Sequence, residues 1–250
     1  MERVYGPVIG LALSVFKAQG LQFTIVGEDN VPRAGGAVMA INHTSYFDFT
    51  YAGLAARKSK RYVRFMAKAS IWQHKIAGPL MRGMKHIPVD RHAGAASYRE
   101  ALTTLKSGEI VGVFPEATMS RSFELKPFKS GAARMARDAG VPLLPTTLWG
   151  AHRVWTKDAP KHRGRSKIPI YIEVGEPIFI PKGGDVEAAN EQLRAAMQAQ
   201  LDRQQAAYPT LTGDDLRYLP ARLGGTAPTP EEAHERDTHD MSRTQDEFNS

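Results

Sequence analysis

The sequence predicts an α/β fold, a single domain with a mixed, mostly parallel sheet flanked by helices. Two observations carry this reading. Short apolar runs alternate with longer segments of helical periodicity over the first 210 residues, and that alternation places helices on the faces of a sheet. The 250 residues, 42% of them apolar, suffice for one sizeable core.

Taken in order, residues 4–16 are mostly apolar and bounded by Arg3 and Lys17. They are too few to span a bilayer, which needs about 20 apolar residues, so residues 1–21 are expected to form a helix at a membrane interface or packed on the protein. Strands are expected at 23–27, 37–41, 62–66, 86–89, 110–114, 143–148 and 168–174, and helices at 47–56, 93–106, 131–139 and 186–207. The last helix carries Leu193, Met197 and Leu201 on one stripe, with Pro209 just beyond its end. Residues 22–209 therefore form the expected catalytic body. From about residue 210 the chain turns to Pro, Gly, Thr and acidic residues with few apolar ones, and a poorly ordered tail is expected there.

The absence of cysteine removes disulfides and thiolate metal sites. The formal charge of +7 is unevenly spread: residues 211–250 hold four basic and nine acidic side chains, leaving 29 and 17 in the first 210, a formal +12. The densest cationic stretch comprises Arg57, Lys58, Lys60, Arg61, Arg64 and Lys68, interleaved with Tyr62, Phe65 and Trp72. It suits an anionic membrane, nucleic acid or a cofactor's phosphates, and equally a solvated face beside the strand at 62–66.

The chemistry-bearing stretch is Asn42-His43-Thr44-Ser45-Tyr46-Phe47-Asp48, where an apolar strand gives way to a helix. Ser45 followed by Asp48 reads as an N-cap and capping box, which leaves His43 in the loop. A loop histidine can lean over the first helical turn, so that the Asp48 carboxylate holds one ring nitrogen and leaves the other free. That arrangement is a general base. No Gly-x-Ser-x-Gly elbow and no cysteine supplies a nucleophile, so the base is expected to serve a hydroxyl of a bound substrate.

Three more segments follow in order: Gly83-Met84-Lys85-His86-Ile87-Pro88-Val89-Asp90-Arg91, Phe114-Pro115-Glu116-Ala117-Thr118-Met119-Ser120 and Val141-Pro142-Leu143-Leu144-Pro145. With the first, they resemble the four blocks of the glycerolipid acyltransferases of the 1-acylglycerol-3-phosphate type, over about residues 35 to 150. The resemblance implies a glycerolipid-acyltransferase-like fold with catalytic His43 and Asp48. It implies that Arg91, Glu116 and Thr118 bind substrate, Arg91 by gripping phosphate. It also implies a monotopic or peripheral place on the cytoplasmic face of an anionic membrane. The acceptor would be the lysophospholipid lysophosphatidic acid, giving phosphatidic acid, or alternatively glycerol-3-phosphate or another lysolipid or glycolipid. The donor would be acyl-coenzyme A or an acyl carrier protein, used as co-substrate, with no permanently bound cofactor, no metal and no nucleic-acid partner.

The third block usually reads Phe-Pro-Glu-Gly-Thr-Arg-Ser in that family, whereas here Ala117 and Met119 replace the glycine and the arginine. Alanine implies a turn without positive φ. Arg121, two residues on, is expected to supply the missing cation. The Lys126 and Lys129 pair that follows meets phosphate or solvent. Two other classes stay open on the residues alone: a metal-dependent hydrolase using His43, Asp48 and Glu116, without a His-Glu-x-x-His set, and a basic nucleic-acid-binding protein without a recognised motif.

Overall fold

The computed structural model describes residues 3–90, 94–162 and 164–249, with side chains through residue 240. The order of elements is α1 (Tyr5–Gln19), β1 (Gln22–Val26), β2 (Ala37–Ile41), α2 (Asp48–Ala52), β3 (Val63–Lys68), α3 (Ala77–Gly83), β4 (Ile87–Val89), α4 (Gly94–Lys106), β5 (Ile110–Val113), α5 (Gly131–Ala139), β6 (Leu143–Trp149), β7 (Pro169–Val174), α6 (Val186–Ala207) and α7 (Pro230–Asn249), with short 3-10 turns between. One seven-stranded sheet runs β1-β7-β6-β2-β5-β3-β4. Only β6 and β7 pair antiparallel. The expected mixed, mostly parallel α/β sheet is what forms.

The central strand β2 is buried throughout and alternates between two cores. Val38 and Ala40 face a cluster that includes Leu105 of α4, Ala133 and Ala136 of α5, and Leu193, Met197 and Leu201 of α6. Ala37, Met39 and Ile41 face the other side, with Phe16 of α1 and Tyr51 of α2. Each large side chain so buried contributes about 1.5–3 kcal/mol, and the two clusters clamp the sheet from both faces. The α6 stripe is held in register by Asp185, whose side chain accepts from the Glu187 and Ala188 amides at the helix start.

The expected helix at 47–56 divides: α2 ends at Ala52 and a 3-10 turn covers Gly53–Ala56. α3 had no counterpart in the sequence reading, because Gly78, Pro79 and Gly83 break its pattern. The poorly ordered tail is corrected as well. Residues 213–218 and 221–223 form 3-10 turns, and α7 follows. Tyr218 is buried, its carbonyl bonded to His152 Nε2 at 2.9 Å. A few well-placed apolar residues and, further on, ion pairs hold this segment, which average composition does not reveal.

The cationic stretch is also dispersed by the strand's alternation. Arg64 on β3 points inward, 1% exposed, donating to the Met84 carbonyl at 2.9 Å and to Glu109 at 3.2 Å, with its guanidinium over Tyr5. Arg61 closes loops by donating to the carbonyls of Pro32, Gly35 and Gly108, and Lys58 pairs with Asp29 at 2.7 Å. The stretch is thus partly structural, with Arg57, Lys60 and Lys68 left exposed.

Two buried histidines give the fold an acid limit. Burial, aided by the charge of Arg64, pushes His86 down to about 4; its Nδ1 accepts from the Phe65 amide at 3.0 Å, a role only the neutral ring fills. Burial likewise pushes His152 down to about 3, against the pull of its bond to Tyr218. Both native values lie below the ordinary histidine value of 6.5, so the unfolded chain binds more protons. Their contribution is complete above pH 6.5 and is lost as pH falls through about 4 and 3; for His86 the loss is on the order of 3 kcal/mol. In an NMR titration the ring signals of His86 and His152 should stay those of the neutral imidazole at pH 5. Protonation of either buried ring near pH 6.5 would refute this.

Candidate active site

The register of β2 against β5 builds the site. Ala40 pairs with Val113 in parallel, so His43 and Glu116, each three residues further on, reach the same level beyond the strand ends. The chain leaves β2 and β5 toward different neighbours in the sheet, and ligands of open α/β sheets bind at such points beyond the carboxyl ends of strands. Asn42 fixes the exit from β2, its side chain donating to the Leu148 carbonyl at 3.1 Å and accepting from the Leu148 amide at 2.7 Å. Glu116 then bridges two loops, with Oε1 accepting from the His43 amide at 2.8 Å and Oε2 from the Lys126 amide at 3.0 Å.

His43 lies over the start of α2. Its Nδ1 is 3.0 Å from Asp48 Oδ2, and the same oxygen accepts from the Thr44 and Ser45 amides, each at 2.7 Å. Asp48 is fully buried, and its side chain is shut off from competing water. A carboxylate that accepts puts the proton on Nδ1 and leaves the Nε2 lone pair available. Nε2 has no hydrogen-bond partner among the described residues, and the ring is partly exposed and stacked on Phe114 with centroids 4.2 Å apart. The capping box is half realised. Asp48 reaches back to the Ser45 amide, whereas Ser45 Oγ accepts from Phe47 and donates to the Trp155 carbonyl.

Burial raises the Glu116 carboxyl above its ordinary value, and the Lys126 and His43 amides, one donating to each oxygen, oppose that shift and favour the carboxylate. Both oxygens of Glu116 thus face main-chain amides of different loops. Its function here is to tie the two loops together. Glu116→Gln must set an NH2 against one of those amides. The expected result is a loss of about 1–3 kcal/mol in urea unfolding, with a lower kcat; unchanged stability would remove the bridging role.

Ala117 corrects the expectation drawn from the missing glycine: its φ is +60°, so the turn does require the left-handed region, at a cost on the order of 1–2 kcal/mol for alanine. Met119 is buried, its sulfur 3.6 Å from Thr156 Oγ1. Thr118 Oγ1 accepts from Lys126 Nζ at 2.7 Å. Arg121, the expected replacement for the missing cation, has its side chain, 7% exposed, taken by Asp158, Asp237 and Asp240. Arg91 lies outside the described residues. The structure thus brings His43, Asp48, Glu116 and Thr118 into one connected set and encloses Arg121 in carboxylates.

Residues of the loop after β6 complete the surroundings, and no local motif marks them. Thr156 Oγ1 donates to the Thr44 carbonyl at 2.7 Å. The rings of Tyr46 and Trp155 meet at 4.6 Å, and Lys161 lies over Trp155. With Arg121, Lys157 and Asp240 they border a cleft of about 570 Å³.

Comparison with known proteins bears on the family and the fold. The chain is 32% identical over 127 residues to a 1-acyl-sn-glycerol-3-phosphate acyltransferase of Bacillus subtilis, covering 50% of this chain and 62% of that one. It is 27% identical over 177 residues to one from Borreliella burgdorferi, covering 68% and 67%. The chain therefore spans about three fifths to two thirds of the length of these relatives. A crystal structure of the lysophosphatidic acid acyltransferase PlsC from Thermotoga maritima superposes with a TM-score of 0.63 over 79% of this chain and 81% of that one; at 19% identity it speaks for the fold. The family model described as Acyltransferase matches residues 22–149, the span that holds the sheet's central strands and the His43, Asp48 and Glu116 set, and by that match the chain belongs to the acyltransferase family.

Proposed function

We propose that the protein transfers a fatty acyl chain from a thioester donor to the free hydroxyl of lysophosphatidic acid, giving phosphatidic acid. The observation that carries this is the His43 ring, bonded through Nδ1 to buried Asp48 and open at Nε2. Nε2 takes the acceptor hydroxyl's proton as its oxygen attacks the thioester carbonyl. The tetrahedral intermediate collapses, the carbon–sulfur bond breaks, and the imidazolium returns the proton to the departing thiolate. Asp48 favours the imidazolium between the two steps. The donor is acyl-coenzyme A or an acyl carrier protein, and both substrates meet in one ternary complex.

The site works at a membrane in this reading, with peripheral attachment on its cytoplasmic face. No helix among the described residues is long and apolar enough to cross one. α1 packs inward through Tyr5 and Phe16 and leaves Leu11 and Val15 exposed. α3, packed beside it, exposes Leu80, with Ile76 just ahead of its first turn. This is an apolar surface suited to lipid. An apolar cavity of about 60 Å³, lined by Val8, Phe16, Phe49, Leu54 and Phe65 between α1 and the body, supports entry of the acyl chain on this side.

A second reading keeps the chemistry and changes the acceptor to glycerol-3-phosphate or another lysolipid. It is favoured by Met119, a buried thioether at a position where the family carries a cation. Purified protein in detergent, given labelled acyl-coenzyme A or acyl carrier protein and each acceptor in turn, decides between them. Labelled phosphatidic acid is the expected product. Transfer to a different acceptor only would move the substrate, and transfer to none would overturn the reading.

A further inference from the structure

We propose that α7 is an internal, displaceable occupant of the acceptor's phosphate site. In this reading Asp237 and Asp240 sit where a phosphate monoester binds among Arg121, Lys126 and Lys157. The inference rests on the acceptor being phosphorylated, as proposed above, and it adds a site and a way of controlling access to it.

Asp237 is the centre of the cluster. Its Oδ1 is 2.9 Å from Arg121 Nε and 3.4 Å from Lys157 Nζ, and its Oδ2 is 2.6 Å from Lys126 Nζ. Three cations around one carboxylate make an anion site, and the side chains of Arg121 and Asp237 are only 7% and 10% exposed. Asp240 and Asp158 take the remaining guanidinium nitrogens. With α7 in place, three cations face three carboxylates. With α7 withdrawn, Asp158 alone remains and the cluster carries two net positive charges, which match a phosphate monoester of about −1.5 to −2.

The cluster is also joined to the catalytic loop. Lys126 donates through its amide to Glu116, which accepts from the His43 amide, and through Nζ to Thr118. The same cluster opens on the cleft bordered by Tyr46 of the His43 loop. An anion bound there would be fixed relative to the base through Glu116. α7 is held largely by charge, since among residues 230–240 only Ala233 and Asp237 are buried. A ligand that replaces its carboxylates replaces much of what docks it.

Amide hydrogen exchange on the full wild-type chain tests this without requiring turnover. Lysophosphatidic acid should accelerate exchange across residues 230–240, inorganic phosphate should do so at about tenfold or higher concentration, and uncharged monoacylglycerol should not. Unchanged protection of α7 with either phosphate compound overturns the inference, and equal potency of the two overturns the assignment to a lipid head group. The double variant Asp237→Asn, Asp240→Asn should bind inorganic phosphate about tenfold more tightly than wild type, and adding Arg121→Ala should remove the gain. Equal affinity of double variant and wild type also overturns it. Failure of acyl transfer would instead appear as absent product with these binding results intact.

Discussion

His43→Ala eliminates measurable acyl transfer, with a fall in kcat of about 10³-fold or more, while the protein unfolds at the same urea concentration as wild type. General base catalysis alone is worth about 10²–10⁴-fold, and triad-type histidines lie at the upper end. Stability is expected to hold because the main-chain contacts at His43, its amide to Glu116 and its carbonyl to the Ser120 amide, survive the substitution. The side chain is partly exposed and gives up one bond, to Asp48. A folded variant retaining near-normal turnover would remove the base from the mechanism. A variant that fails to fold would show that the ring's stacking on Phe114 and its Asp48 bond carry structure.

The sequence made the frame of this site readable because the physics there is local. Apolar runs bounded by turn residues located all seven strands, and β2 and β6, buried on both faces, can hardly look otherwise. His43 and Asp48 were legible because their partnership spans five residues across one strand-to-helix turn. What escaped was non-local. The burial of Arg64 depends on which face of β3 turns toward Tyr5 and Glu109, so charge counted along the chain mistook part of an internal network for a surface. The fate of Arg121 depends on Asp237 and Asp240, more than a hundred residues away, in a segment whose composition suggested no structure at all. Ala117 shows a subtler loss. The residue type argued against a positive φ, and the turn imposed one anyway, because the Phe114 carbonyl to Ala117 amide bond and the two amides on Glu116 determine its path.

Asp48→Asn and Asp48→Ala should differ in kind, and their difference measures what the buried charge does. All three donors at this carboxylate, His43 Nδ1 and the Thr44 and Ser45 amides, converge on Oδ2, while Oδ1 has no hydrogen-bond partner. An asparagine can therefore place its amide oxygen where Oδ2 stands, which leaves its NH2 buried at the Oδ1 position without an acceptor and costs about 1–3 kcal/mol of stability. The reverse orientation would press an NH2 against two main-chain amides, so the ring keeps its proton on Nδ1 and its orientation. Asp48→Asn thus removes the charge and spares the geometry. A hydrogen bond to a charged group is worth about 1.5–3 kcal/mol, which predicts a loss of roughly 10- to 150-fold in kcat with an unchanged acceptor KM. Asp48→Ala also orphans two buried amides, at about 1–3 kcal/mol each, and frees the ring. Here the expected loss of turnover approaches that of His43→Ala, with a clear drop in unfolding free energy. Equal activity in the two variants would mean that the carboxylate merely shapes the loop. An asparagine variant as inactive as the alanine one, yet more stable than it, would mean that the charge itself carries nearly all of Asp48's contribution. Glu116 provides the internal contrast, because both of its oxygens are engaged and no amide can stand in for it: glutamine should lose one of its two loop contacts where asparagine at 48 keeps all three donors.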